Sequence, residues 1–189
     1  MLPREAIARR NAEREALAAY LAGSRDRPFE IEFDSEFCVC GVLAPSWFSY
    51  VRFVWRAALA KIAELMPLSP LKVLFYRLLG VRIGRDVFIS PRVVIDPMYP
   101  ALIELEDGCL LGMGCRLFTH EYTAAKFRIG RIRVGKGAVV GAYSTVRSGV
   151  TIGDKATVGF SSYVHRDVPE GQTVGGVPAR PLHAGREGG

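Results

Sequence analysis

Histidine is the side chain best suited to take and return a proton near neutral pH, its ordinary pKa lying near 6.5. This chain has three: His120, His165 and His183. His183 falls in the last seven residues, and His165 directly follows an aliphatic residue, Val164. His120 opens a stretch, Thr119 to Arg133, that interrupts an otherwise regular pattern and carries Glu121, Tyr122, Lys126, Arg128 and Arg131. A substrate can reach a residue at such a junction, so His120 is the candidate general base. Glu121, its neighbour, or a backbone carbonyl would orient it. A catalytic zinc wants three protein ligands around an open position, and histidines this scattered do not supply them. Cys38, Cys40, Cys109 and Cys115 contain no C-x-x-C pair and read as free thiols of a reducing compartment. Ser144 and Cys115 are conceivable nucleophiles without the histidine and orienting group that nucleophilic catalysis needs.

The pattern that His120 interrupts is a hexad. From Val134 an aliphatic residue recurs at every sixth position: Val134, Val140, Val146, Ile152, Val158 and Val164. The same phase holds upstream at Ile83, Ile89 and Ile95, and again at Leu105, Leu111 and Leu117. A short hexad repeat with aliphatics in phase marks a parallel β-helix, in which three hexads close one triangular coil. The twelve positions predict four coils, a prism roughly 19 Å tall at about 4.8 Å per coil. Two insertions emerge from it, Asp96 to Glu104 and Thr119 to Arg133. Insertions in solenoids usually leave as loops on one face and often carry binding function.

Upstream of the prism the chain reads as helical. Pro3 to Ala22 is rich in helix formers, has a thin apolar stripe (Ile7, Leu17, Tyr20, Leu21) and stops at Gly23. Phe29 to Phe33 alternates as an edge strand would. Ser46 to Met66 predicts a helix capped by Ser46, with Ser49, Arg52, Arg56, Lys61 and Glu64 on one narrow polar stripe. Ser69-Pro70 starts a second helix, Leu71 to Leu79, stopped by Gly80. Four charges in the first of these helices argue against a membrane-spanning segment. Two readings stay open for residues 46–79. They cover the prism end or a subunit contact, the ordinary fate of apolar helices, or they lie in a membrane interface, as arginine opposite Trp and Phe suggests.

A net charge of +6 over 189 residues suits an anionic partner, a phosphate-bearing cofactor or an acidic membrane surface. No aromatic-basic platform or groove-reading motif speaks for nucleic acid. Met1 is followed by charged residues and no apolar signal core, so the expected location is cytoplasmic, with contact at the inner face of the membrane if residues 46–79 make it.

Val139-Val140-Gly141-Ala142-Tyr143-Ser144-Thr145-Val146 and Gly149-Val150-Thr151-Ile152-Gly153 resemble the bacterial hexapeptide-repeat O-acetyltransferases. So do Val164-His165-Arg166-Asp167-Val168-Pro169 and Gly176-Val177-Pro178-Ala179-Arg180-Pro181. The maltose/galactoside and polysaccharide-modifying acetyltransferases are the most similar in kind, and the resemblance covers about residues 80 to 182. It implies a mainly β fold, a left-handed parallel β-helix with an α-helical N-terminal region. It implies a homotrimer with an active site in each groove between prisms. The donor would be acetyl-CoA, with no metal, and the acceptor a hydroxyl of a sugar, polysaccharide precursor or glycolipid. The family's catalytic histidine, at the start of the protruding loop, corresponds to His120. Cofactor positions correspond to Gly141, Ala142, Gly159, Phe160 and Ser161, with His165, Arg166 and Arg180 nearer the phosphates. Phe160 departs from the small residue usual there. Asp96 lies by spacing near the family's acceptor-holding amide or carboxylate on the facing subunit, and Glu121 and Tyr122 would line the acceptor side.

The expected organisation is a helical region over 1–80, a β-helix acyltransferase domain over 81–182 with its loop at 119–133, and a mobile tail over 183–189. Transfer would be direct within a ternary complex, the oxyanion held by backbone N–H groups at a tight corner such as Gly141-Ala142. Two other classes use the same prism: a non-catalytic trimer that binds a membrane or partner, and the γ-type zinc carbonic anhydrases.

Overall fold

Helix formers, hexad aliphatics and corner glycines sort into separate layers in a computed structural model of the chain, which describes residues 4–23, 27–32, 47–123 and 126–182. Ser46 as helix cap, Phe33, Cys38 and Cys40, and the tail from His183 lie outside those residues. The described elements begin with α1 (Arg4–Ala22), β1 (Phe29–Glu32), α2 (Trp47–Leu65) and α3 (Ser69–Leu78). The first coil is β2 (Arg82–Ile83), β3 (Phe88–Ile89) and β4 (Val94–Ile95), and the second is β5 (Ile103–Leu105), β6 (Leu110–Leu111) and β7 (Arg116–Leu117). After β8 (His120–Tyr122) and β9 (Lys126–Ile129) come the third coil, β10 (Ile132–Val134), β11 (Val139–Val140) and β12 (Thr145–Val146), and the fourth, β13 (Thr151–Ile152), β14 (Thr157–Val158) and β15 (Tyr163–Val164). The chain closes with β16 (Thr173–Gly175) and β17 (Arg180–Pro181).

Parallel pairing stacks these strands into three faces. The first runs β2-β5-β10-β13, the second β3-β6-β11-β14-β16, and the third β4-β7-β12-β15. Each hexad aliphatic stands directly over its counterpart: Ile83, Leu105, Val134 and Ile152 on one face, Ile89, Leu111, Val140 and Val158 on the next, Ile95, Leu117, Val146 and Val164 on the third. Eleven of the twelve are buried in one core cluster, and Ile83, at the open first rung, packs half-buried against it. Leu111, fully buried between Ile89 and Val140, has no room to collapse around a deletion. Leu111→Ala is expected to lower unfolding free energy by about 3 kcal/mol, readable as a reduced urea midpoint at unchanged slope.

Four coils undercount the solenoid. Val168 bridges to Ile152 and Val174 pairs with Val158, starting a fifth turn. The hexad phase slips there, because Val168 follows Val164 by four residues and not six. β17 then folds back antiparallel on β16. The second insertion, expected as a loop over 119–133, has regular structure of its own. β8 and β9 form an antiparallel hairpin, β1 adds to it on the other edge of β9, and Ile132 and Arg133 already belong to the third coil. The alternating run at Phe29 is therefore the predicted edge strand, and its partner is the insertion. Leu17 of α1 packs with Ile31, Leu102, Phe127 and Ile129 into a second small core under this hairpin.

α2 and α3 close the first coil. Ala60, Ala63, Tyr76 and Leu79 join the core cluster of the prism. The Tyr76 hydroxyl donates to the Val93 carbonyl at 2.7 Å, and Ser69 Oγ accepts from the Ile89 N–H at 2.9 Å. Burial pushes the Tyr76 phenol, also close to Glu64 and Cys115, far above its ordinary value, so it stays a neutral donor. Lys72 is enclosed in the same layer, its ammonium donating to the Glu64 carbonyl at 3.0 Å. Gly80, at φ +101°, makes the left-handed turn from α3 into β2 that a residue with a Cβ resists.

Candidate active site

Consecutive coils bring together two insertions that are distant in sequence. β4 and β7 are neighbours on the third face, with Ile95 paired to Leu117. The residues that leave those strands, Asp96 above and Thr119-His120 below, therefore meet at one corner. His120 Nδ1 bonds Asp96 Oδ2. Thr119 donates to the same oxygen from its N–H at 3.1 Å and its hydroxyl at 2.5 Å. The Met98 N–H donates to Asp96 Oδ1 at 2.9 Å. Asp96 is wholly buried. Burial alone would raise its pKa, but the bond and charge of His120, then Thr119 and Met98, outweigh it and hold the carboxyl below the usual carboxylate range.

An ionised carboxylate accepts and never donates. Asp96 therefore requires the proton of a neutral His120 on Nδ1, which leaves the lone pair on Nε2. Three aromatic rings fix the imidazole plane. Tyr99 meets it edge-on at 5.8 Å, Tyr122 edge-on at 5.3 Å, and Phe127 lies tilted at 6.4 Å. Phe127 is buried and stacks on Tyr122 at 5.0 Å. The Tyr99 phenol is pushed up to about 12 by burial and by the Asp96 charge, so it stays neutral. The His120 side chain itself is 18% exposed, a walled group with one open side.

The structure revises two expectations about who holds whom. Glu121 does not orient His120. Alternation along β8 turns it to the opposite side, where Arg147 Nε donates to its oxygens at 2.8 and 2.9 Å and the Ser148 hydroxyl at 2.6 Å. That contact ties the hairpin to the third coil. Asp96 is enclosed and bonded on both oxygens, so it has no face left for an acceptor in this chain and serves the imidazole. Tyr122, on the His120 side of the strand and 39% exposed, remains beside the open side of the ring. Thr119, Tyr99 and Phe127 were not singled out from sequence. The pairing Ile95–Leu117 would have pointed to Thr119, since it sets Asp96 one coil above the start of the hairpin.

The other candidates occupy two edges. Gly141 and Ala142 follow β11, and Gly159, Phe160 and Ser161 follow β14, so they stack at the corner between the second and third faces. The Ser161 N–H donates to the Ala142 carbonyl at 2.8 Å there. A Cβ on Gly141 would stand 2.6 Å from the Val158 carbonyl oxygen, so the coil itself demands that glycine. Gly159 is different: its nearest obstacle is at 3.4 Å, and packing does not require it to be bare. Phe160 projects from this corner 79% exposed. His165 and Arg166 follow β15 at the opposite edge of the third face, two coils beyond His120. The His165 ring stacks on Tyr163 at 5.9 Å, and Arg166 is exposed. Arg180, on β17, is exposed with one nitrogen on the Ala179 carbonyl. Within one chain the glycine-alanine corner and His120 thus flank the third face and do not share a crevice.

Cys109 and Cys115 are buried in the prism, where burial pushes both thiols up to about 12, so neither is a ready nucleophile. Ser144 gives its hydroxyl to the Gly159 carbonyl at 2.8 Å. Among the described residues no three His, Cys, Asp or Glu side chains gather as a metal site.

Residues 131–166 match the bacterial transferase hexapeptide family (six repeats). YvoF of Bacillus subtilis, assigned as an acetyltransferase, is 32% identical over 139 residues, covering 73% of this chain and 81% of that one. A Staphylococcus aureus protein with the same assignment is 31% identical over 119 residues, 62% of this chain and 74% of its own. Among solved structures, a hexapeptide-repeat acetyltransferase of Vibrio cholerae complexed with acetyl coenzyme A has a TM-score of 0.64 at 22% identity, over 88% of this chain and 96% of that one. At such identity the likeness is one of fold. The relation to YvoF carries further, over most of both chains, and by it the chain belongs to the hexapeptide-repeat acetyltransferase family.

Proposed function

We propose that the protein moves an acetyl group from acetyl-CoA to a hydroxyl of a sugar, polysaccharide precursor or glycolipid, with His120 as general base. The observation that carries this reading is the Asp96–His120 pair, a buried carboxylate on Nδ1 of an imidazole that is itself partly exposed. His120 Nε2 takes the acceptor proton as the oxygen attacks the thioester carbonyl. The C–S bond breaks as the tetrahedral intermediate collapses, and the imidazolium returns its proton to the departing CoA sulfur. Asp96 stabilises the transient imidazolium and prevents the ring from turning. No acyl-enzyme is required. The Gly141 N–H is already committed to the Val158 carbonyl at 2.8 Å, so the oxyanion donor at this corner is the Ala142 N–H.

This chemistry needs a second copy. Three prisms side by side would set the glycine-alanine corner of one chain against His120 of the next. The second face suits the contact: its outward residues include Phe88, 52% exposed, with Leu110 and Val139 beside it. The first face instead carries a ladder of ion pairs, Arg82–Glu104 at 3.4 Å and Arg133–Glu106 at 2.8 Å, that suits water. Gly159 offers bare backbone to the pantetheine arm, and His165, Arg166 and Arg180 provide charge for the phosphates.

Calorimetry with acetyl-CoA tests the donor half. Measurable affinity should fall as salt rises from low to several times physiological ionic strength. The double variant Arg166→Ala/Arg180→Ala should lose about tenfold or more. No heat of binding at any salt, or an affinity indifferent to both changes, would count against this assignment.

A further inference from the structure

The two helices that close the prism leave much of their apolar surface uncovered. On α2 Ala60 and Ala63, with Leu59 half-buried beside them, meet the first coil, while Trp47, Val54, Trp55, Ile62 and Leu65 face outward. Trp47 is 79% exposed, Trp55 71% and Leu65 69%. On α3 Tyr76 and Lys72 are buried and Val73 and Phe75 pack half-buried on the core, while Leu71, Leu74 and Leu78 are exposed at spacings of three and four. A helix covering a core in water turns its apolar stripe inward and keeps its other side polar. A contiguous apolar surface of this extent marks an interaction site.

Its position and charge select the occupant. The helices pack on the first coil through Tyr76 and Ser69, so their outer side closes the end of the solenoid and not a flank. Side-by-side association of prisms buries flanks and leaves this end bare. Residues 47–79 hold five cations (Arg52, Arg56, Lys61, Lys72, Arg77) against one acid, Glu64. Lys72 is enclosed and Arg77 donates to the Ile83 and Gly84 carbonyls, which leaves Arg52 and Lys61 as the exposed cations of α2. Arg52 and Lys61 border the apolar arc of α2 on its two sides, Lys61 in an exposed i,i+3 pair with Glu64 at 3.0 Å that an anionic surface can compete for. Tryptophan and tyrosine rings with leucine beside them, rimmed by cations, match the boundary between headgroups and acyl chains. Among the described residues no helix is long and apolar enough to cross a membrane.

We propose that this cap docks on the surface of an anionic lipid bilayer, α2 and α3 lying in its plane. Trp47, Trp55, Leu65 and Leu78 enter the acyl boundary, and Arg52 and Lys61 face the lipid phosphates. The Asp96–His120 corner, spanning the first two coils, then stands roughly 15–20 Å from the lipid surface, one helix layer and one to two coils away.

Both tryptophans of the chain lie on this face, so intrinsic fluorescence reports it alone. The full chain should float with vesicles of phosphatidylcholine mixed with phosphatidylglycerol, its emission shifting to the blue, and bind vesicles of phosphatidylcholine alone at least about tenfold less. Trp55→Glu/Leu65→Glu, at exposed positions, should cut flotation about tenfold or more with an unchanged thermal melt. Leu74→Glu/Leu78→Glu on the other helix should do the same if the first pair fails to fold. Unchanged emission and no flotation on anionic vesicles overturn the proposal. So does emission already blue-shifted without lipid: with doubled mass in light scattering, a second copy covers the face, and with unaltered mass, another part of the same chain does.

Discussion

His120→Ala is expected to lower kcat about 10²- to 10⁴-fold while leaving the affinity for acetyl-CoA nearly unchanged and the chain folded. The size follows from the step removed. Without Nε2 the acceptor hydroxyl must shed its proton to water, and the intermediate loses the acid that protonates the sulfur. The melting temperature should fall, because the buried Asp96 loses its main partner, but the fold should persist: Asp96 keeps its bonds from Thr119 and Met98, and the hairpin keeps its tie through Glu121, Arg147 and Ser148. Steady-state thiol release beside a circular-dichroism melt separates the two effects. A variant that folds and turns over at near the parental rate would remove the histidine from the mechanism.

Asp96→Asn should cost nearly as much, about 10²- to 10⁴-fold in kcat, although it touches no substrate. An amide can present its NH2 to Nδ1, which favours the tautomer with the proton on Nε2, where it blocks proton abstraction. The loss should fall on kcat, and the double variant with His120→Ala should be no slower than His120→Ala alone, because the pair acts as a unit. The same carboxylate predicts an acid limb of stability. Its folded pKa is depressed, so its contribution is fully present above the unfolded carboxylate value, near 3.9, and is lost as pH falls through the lower folded value. Denaturant titrations of the parent should weaken below about pH 4, and those of Asp96→Asn should lack that part of the decline. If Asp96→Asn retains full kcat, Asp96 is a buried structural acid and not a positioning residue.

What the chain reveals at first reading depends on how local each constraint is. The inward aliphatics repeat at a fixed spacing, so Ile89 to Val164 declare the prism without any knowledge of contacts. The fifth turn escaped because Val168 breaks that spacing. Arg4–Ala22 and the two later helices were legible from helix formers, Ser69-Pro70 and Gly80, but which side of α2 would face the prism was not. Nothing in one helix says where its partner is. The hairpin did leave a trace, since Lys126-Phe127-Arg128-Ile129 alternates as Phe29-Glu30-Ile31-Glu32 does; the two strands pair across nearly a hundred residues. His120 could be found from its place in the pattern. Its partner could not be found in Glu121, because a strand sends neighbours to opposite sides, and lies instead 24 residues upstream, one coil away.

The central claim is that a hydroxyl, deprotonated at His120, attacks acetyl-CoA directly. The measurement closest to it is thiol release from acetyl-CoA across a panel of sugars and glycolipids, with the acetylated product identified by mass spectrometry and the enzyme weighed intact after each reaction. Acceptor-dependent release, an oxygen-linked acetyl ester in the product and an enzyme of unaltered mass are the predicted result. Acetyl accumulating on the protein before any acceptor is added, or an oxygen ester formed equally well by His120→Ala, would contradict it.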